Sequence, residues 1–307
     1  MLLVAAALPL LFWDAGPSTA PALRDAHIER IAVPAAQEAA WKGVVGIVVQ
    51  AADIDRLRKL AVPSVEYRPD QASASRAPWI QSNGWEFVRA PGAHFYYDAP
   101  GKAAGLAAAE AFSYGADALI HTDAAGLQYF AEMLAFLRGI ERLDLPPLAD
   151  IAFQDDGGDT AGEVLNLMLR NNLLVRAAAA PDPKAKLNVR LGSAQFPLET
   201  AQDPAAMAHL VRSALGDDHR SIRIYGTQVV LARVTAGGGR LRLALLNYDG
   251  ARRKVDGLHV RALGRFPKHT GAVAGGAAQI DDYSLDDQAT EFTLPELKTF
   301  AVIDLSR

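Results

Sequence analysis

The chain changes its period once, and that change limits what it can fold into. From Leu10 to about Asp217, short apolar runs alternate with helix-like segments at intervals mostly under about twenty residues; after Asp217-Asp218-His219 helical patterning stops. Strand candidates in the first part are Leu10 to Trp13, Arg30 to Val33, Gly46 to Gln50, Ser64 to Tyr67, Ala116 to His121, Ala149 to Gln154, Leu173 to Ala177 and Leu187 to Leu191. Helix candidates separate them: Pro21 to His27, Ala35 to Lys42 closed by Gly43, Ile54 to Leu60 behind Asp53, Lys102 to Tyr114 closed by Gly115, Gly126 to Leu137, Thr160 to Arg170 and Pro204 to Leu215. Eight strands with intervening helices predict a parallel α/β domain of the (β/α)8-barrel type, complete or shortened, over 11–217. The stretch from Pro147 to Ser193 reads alternatively as a small flavodoxin-like domain of its own.

Beyond residue 217, Ser221 to Tyr225, Gln228 to Val234, Arg240 to Tyr248, Gly257 to Leu263 and Glu291 to Leu305 are alternating or continuously apolar, with Gly237-Gly238-Gly239 and Asp249-Gly250 as turns. This predicts an antiparallel β-sandwich over 218–307. Residues 1–10 read as the remnant of a secretory signal, with a small-x-small site at Ser18-Thr19-Ala20 but no basic residue before the apolar run. On that reading the protein is secreted or periplasmic. If the apolar start is instead the first strand, a cytoplasmic protein is expected. The run to Asp14 is too short to span a bilayer, and no other segment approaches that length.

Composition removes whole classes of chemistry. The 307 residues include no cysteine, which excludes disulfides, thiolate metal sites and cysteine nucleophiles. A net charge of −4 offers no basic excess for phosphate backbones, so nucleic acid is not an expected partner. The histidines show neither HxH nor HExxH spacing, no G-x-S-x-G occurs, and no motif calls for a cofactor or metal.

The longest interruption of the rhythm runs from Tyr67 to Pro100 and carries Arg76, Trp79, Asn83, Trp85, Phe87, Phe95, Tyr96 and Tyr97. Aromatic faces beside hydrogen-bonding side chains suit a sugar, whose C–H faces stack and whose hydroxyls bond at the edge. Arg76, Trp79, Asn83, Trp85 and Tyr97, with Asp14 and His121 at strand ends, are therefore candidate binding residues; the competing reading is a lid whose aromatics form their own small core. Hydrolysis of a glycoside requires two carboxyl groups, and the candidates by position are Glu66, Asp123, Asp155 and Asp156. Each has a structural alternative. Asp123 can cap the following helix, and Asp155-Asp156-Gly157-Gly158-Asp159 can be a turn leading into a Thr160-x-x-Glu163 capping box. The aspartate-rich turn repels phosphate, and Asp281, Asp282, Asp286 and Asp287 read as a solvated loop in preference to a calcium site.

A shortened barrel followed directly by a sandwich ending in Glu291-Phe-Thr-Leu-Pro-Glu-Leu-Lys-Thr-Phe-Ala-Val-Ile-Asp-Leu305 resembles bacterial glycoside hydrolases and their barrel-containing relatives. The segment Ala149 to Gly157 with Glu163 to Leu167 also resembles the glutamine-amidotransferase-like domain that accompanies some β-galactosidases, although the absence of cysteine excludes that domain's chemistry. The resemblance implies a carbohydrate-active protein, either a glycoside hydrolase or a non-catalytic binding or assembly protein built on the same scaffold.

Overall fold

A computed structural model describes residues 8–70, 77–276 and 278–307. The chain divides into two compact units, Met1–Ser64 with Pro91–Leu143, and Val65–Ala90 with Asp144–Arg307. Through residue 139 the elements are β1 (Leu10–Phe12), α1 (Ala20–Asp25), β2 (Arg30–Pro34), β3 (Val48–Ala52), β4 (Arg58–Leu60), β5 (Ser64–Glu66), β6 (Trp79–Gln81), α2 (Gly84–Arg89), β7 (His94–Asp98), α3 (Ala103–Tyr114), β8 (Asp117–His121) and α4 (Ala124–Gly139).

The first unit is organised by a six-stranded, wholly parallel sheet in the order β3-β2-β1-β8-β7-β4. Taken in chain order, each strand pairs with the next and the last pairs with the first; only β3 and β4 are not paired. That is the order of a barrel, not of a doubly wound sheet. The link from Ala52 to Arg58 requires curvature. Six residue steps reach at most ~22 Å, whereas crossing five strand spacings of ~4.8 Å in a flat sheet needs ~24 Å before the chain returns along the strand. The sheet must curl until its edges approach each other. Leu10 and Phe12 of β1, Ala32 of β2, Ala52 of β3, Tyr96 of β7, Leu119 of β8 and the linking Ile54 and Leu57 accordingly converge in one apolar cluster.

Several local expectations are corrected here. Ile54 to Leu60 is a short 3-10 turn running into β4, not a helix, because its apolar positions serve the curled sheet's interior. Ala35 to Lys42 forms a 3-10 helix ending at Trp41. His94–Asp98, placed within the aromatic loop by sequence, is an interior strand; its bulky, β-favouring residues bury Phe95, Tyr96 and Tyr97. The strand expected at Leu10 is present as Leu10–Phe12, and nearby Thr19 Oγ1 accepts from Trp13 Nε1 at 2.7 Å.

In the second unit β9 (Ile151–Gln154), β10 (Val175–Ala178) and β11 (Leu187–Val189) form a sheet of their own among the described residues, in the parallel order β10-β9-β11. With α5 (Asp159–Arg170), α6 (Leu198–Ala201) and α7 (Pro204–Leu215) they enclose their own apolar core, including Phe153, Leu165, Met168, Phe196 and Val211. The remaining strands are β12 (Ile222–Tyr225), β13 (Val230–Gly237), β14 (Arg240–Asn247), β15 (Val255–Leu263), β16 (Lys268–Val273), β17 (Asp281–Leu285), β18 (Ala289–Leu297) and β19 (Phe300–Ser306). They form two antiparallel sheets, β12-β15-β18-β17 and β13-β14-β19-β16. Alternate residues such as Leu243, Leu245, Ile303, Leu258, Val260 and Phe292 fill the shared core, so the expected sandwich is present. No helix among the described residues is long and apolar enough to cross a membrane.

Gly126 supports the curled sheet in a way no other residue can. A Cβ there would lie 1.8 Å from Thr122 Oγ1 and 2.9–3.0 Å from the Gly101 backbone, because the loop before α3 rests directly on the first turn of α4. Gly126→Ala is therefore expected to destabilise the protein by about 1–3 kcal/mol, read as a lowered denaturant midpoint at unchanged slope.

Candidate functional site

Side chains alternate across a strand, so the residues that follow the inward cluster by two positions extend its face toward the strand C-terminal ends. After Phe12 comes Asp14, after Tyr96 comes Asp98, and after Leu119 comes His121. The parallel register aligns Phe12 and Asp98 with His121. His121 Nδ1 lies 2.8 Å from Asp98 Oδ1, and Nε2 lies 3.4 Å from Asp14 Oδ1. The imidazole is held from both sides by carboxylates.

The layer beneath this rim is aromatic. The Tyr96 ring stacks on His121 with centroids 6.4 Å apart and planes at 15°, and Phe12 meets both rings edge-on. Burial, reinforced by the charges of Asp98 and Asp14, pushes the Tyr96 phenol up to about 12, so its hydroxyl keeps its proton at neutral pH. The His121 side chain is 23% exposed, against 53% for Asp14 and 71% for Asp98. The result is an accessible rim with two acceptors, a histidine between them and an apolar floor. Phe12 and Tyr96 are themselves buried, so what the rim presents is hydrogen bonding, from two carboxylates and the imidazole, which suits hydroxyl groups.

Asp14 and His121 were expected here from sequence. Asp98 and Tyr96 were missed because their strand was read as loop; the signal was Gly92 and Pro100 bracketing a run of β-favouring aromatics. Asp123 does not join the rim group. Its Oδ1 accepts from Gly101 N at 3.0 Å and Gly126 N at 2.7 Å, and these backbone bonds, Gly101's first, hold the carboxyl below its ordinary range as the cap of α4. Tyr97 points to the opposite face, fully buried, with its hydroxyl donating to Glu110 at 2.6 Å.

The other candidates belong to the second unit. Asp155 receives Nε of Arg89 at 2.7 Å and Nη2 at 2.9 Å and also accepts from Gly157 N, with both charged side chains only 12–13% exposed. Asp156 accepts from Gly158 N at 2.8 Å. The turn reading therefore describes both aspartates. Helix α5 starts at Asp159 with Gly158 as its uncapped N-cap, so Thr160 is already helical and no capping box forms. Glu66 is exposed on β5, and Asn83 is buried at the start of α2. Trp85 packs on the core around α5 with Arg89 over its ring, and Trp79 is covered by Arg170. Arg76 lies outside the described residues. Among those residues no group of three or more His, Asp or Glu is arranged to hold a metal ion.

No family model matches the chain, and no curated protein matches it in sequence. Among solved structures it is similar to an α-L-fucosidase isoenzyme 2 from Paenibacillus thiaminolyticus, with a TM-score of 0.54 and 9% identity over 70% of this chain and 61% of the fucosidase. The likeness is one of fold. This chain spans about three fifths of the fucosidase's length. An apo exo-carrageenase from Bacteroides ovatus matches with a TM-score of 0.30 and 12% identity over 67% of this chain and 39% of that one.

If Asp155 serves the fold, Asp155→Asn should lower stability by about 1.5–3 kcal/mol, the usual worth of hydrogen bonds to a charged group. Thermal melting checks this. Any saccharide binding by the folded variant should equal that of the wild type.

Proposed function

We propose that the protein is carbohydrate-active, of the glycoside hydrolase type, and that its saccharide site is the Asp14–His121–Asp98 rim of the curled parallel sheet. The single observation behind this reading is the convergence of two carboxylates and an imidazole on one inward face at the strand C-terminal ends, the position where barrels carry their active sites. The six strands act as an abbreviated barrel on this reading, and the buried Tyr96 and Phe12 support His121 from below. The fold shared with the fucosidase supports a carbohydrate ligand without specifying which.

In the hydrolytic form of the proposal, one carboxyl gives its proton to the glycosidic oxygen while the other takes a proton from the water that attacks the anomeric carbon. The bond from that carbon to the leaving oxygen breaks as the bond to water oxygen forms. An imidazole separates Asp14 from Asp98, which is closer to the ~6.5–9.5 Å spacing of inverting enzymes than to the ~5–5.5 Å of retaining ones. His121 would fix the orientation of both side chains. A second reading, a non-catalytic sugar-binding protein, is favoured by the exposure of the two carboxylates, since a general acid usually works from a desolvated position.

Assays on aryl glycosides and oligosaccharides, paired with calorimetric binding titrations, separate the two. For an enzyme, Asp14→Asn and Asp98→Asn should each lower kcat by about 10²–10⁴-fold with melting unchanged. Binding without turnover, weakened by both substitutions, supports the binding protein. Neither binding nor turnover of any saccharide would defeat the proposal.

A further inference from the structure

Within the second unit a cavity of about 360 Å³ is lined by four arginines, Arg170, Arg212, Arg220 and Arg223, together with Ile80 and Tyr225. The arginines are unequally neutralised. Asp217 is shared, receiving Arg212 Nε and Nη2 at 2.9 and 2.8 Å and Arg220 Nη1 at 3.1 Å. Arg220 Nη2 donates to the carbonyls of Asn171 and Asn172, each at 3.1 Å, and its buried Nε has no partner among the described residues. Among the described residues, Arg223 is ion-paired with the exposed Asp218, at 3.3 Å, and lies over the Tyr225 ring at 5.2 Å.

Arg170 is the outlier. Its guanidinium carbon sits 3.6 Å from the Trp79 ring centroid, and Arg68 covers the same indole at 5.0 Å. Arg170 Nε and Nη1 are buried without a hydrogen-bond partner among the described residues. Burial, and secondarily the charge of Arg68, lowers the guanidinium to about 10, well below the ordinary value for arginine. A desolvated cation stacked on an aromatic wall at the edge of a cavity is costly unless an anion completes it.

We propose that this cavity binds a small ligand bearing an oxyanion, recognised by Arg170 and Arg223, with a volume that admits an acidic monosaccharide. The planar guanidinium fork matches a carboxylate or a tetrahedral oxyanion, and Tyr225 and Ile80 offer apolar contact for the remainder of the molecule. The site is independent of the rim described above: every residue in it belongs to the second unit.

Calorimetric titration at fixed ionic strength with glucuronate, inorganic phosphate, inorganic sulfate and neutral glucose tests the proposal on the full chain. Saturable glucuronate binding is expected, with no heat from glucose. Binding should weaken about tenfold or more in Arg170→Met and in Arg223→Met, the loss expected when a bond between charged groups disappears. Methionine retains apolar packing on Trp79, and melting curves verify that each variant is folded. Phosphate or sulfate binding as tightly as glucuronate would assign recognition to the oxyanion itself, and glucuronate alone would assign it to an acidic sugar. The proposal is overturned if no anion binds saturably, if glucose binds equally well, or if both folded variants bind as the wild type does.

Discussion

The pairing of the first strand with the last, Leu10 with Leu119, Leu11 with Ile120 and Phe12 with His121, is the constraint on which the first unit depends. It converts a run of short strands into a curled sheet with an inside. It also fixes the parity of every residue. A slip of β1 by one position would turn Leu10 and Phe12 away from the inward face and place Leu11 there, opposite the unmoved Leu119 and His121. The short β3–β4 link reinforces the same curvature from the opposite edge, so the inward cluster and the polar rim that follows it are two layers of one geometric decision.

Local bonding distinguishes the acidic residues. Asp123, Asp155 and Asp156 are each bound to backbone N–H groups within a turn, and Asp155 also holds a nearly buried arginine. At least one oxygen of each supports a turn or helix start. Asp14 and Asp98 differ: among the described residues, each carboxylate is hydrogen-bonded only to His121. A ligand hydroxyl could therefore replace or join these bonds without unravelling a helix start. The arginines of the second unit show the converse situation: among the described residues Arg170 and Arg220 keep buried N–H groups with no acceptor.

Much of the architecture could be read from the sequence, because periodicity records which face is buried. β1, β2, β8, β9, α3, α4, α5, α7 and the change to an antiparallel sandwich all carried that mark. β4 and β7 did not: three residues at Arg58–Leu60 are too few to show a period, and His94–Asp98 has a buried residue on each face, so alternation vanishes. Missing β7 meant missing Asp98, and with it the pair of carboxylates around His121. Strand counting alone also could not reveal that β9 to β11 pair with one another, since pairing is a non-local property. The same limit applies to Asp155, whose partner Arg89 lies 66 residues away.

Backbone amide chemical-shift mapping during titration with saccharides tests the central claim most directly, because it locates the contact without presuming a reaction. The account predicts a saturable perturbation centred on Asp14, Tyr96, Asp98 and His121, with the amides of Tyr97 and Glu110 on the opposite face of the sheet little changed. Saturable binding that leaves those rim amides unmoved and perturbs some other surface would contradict it.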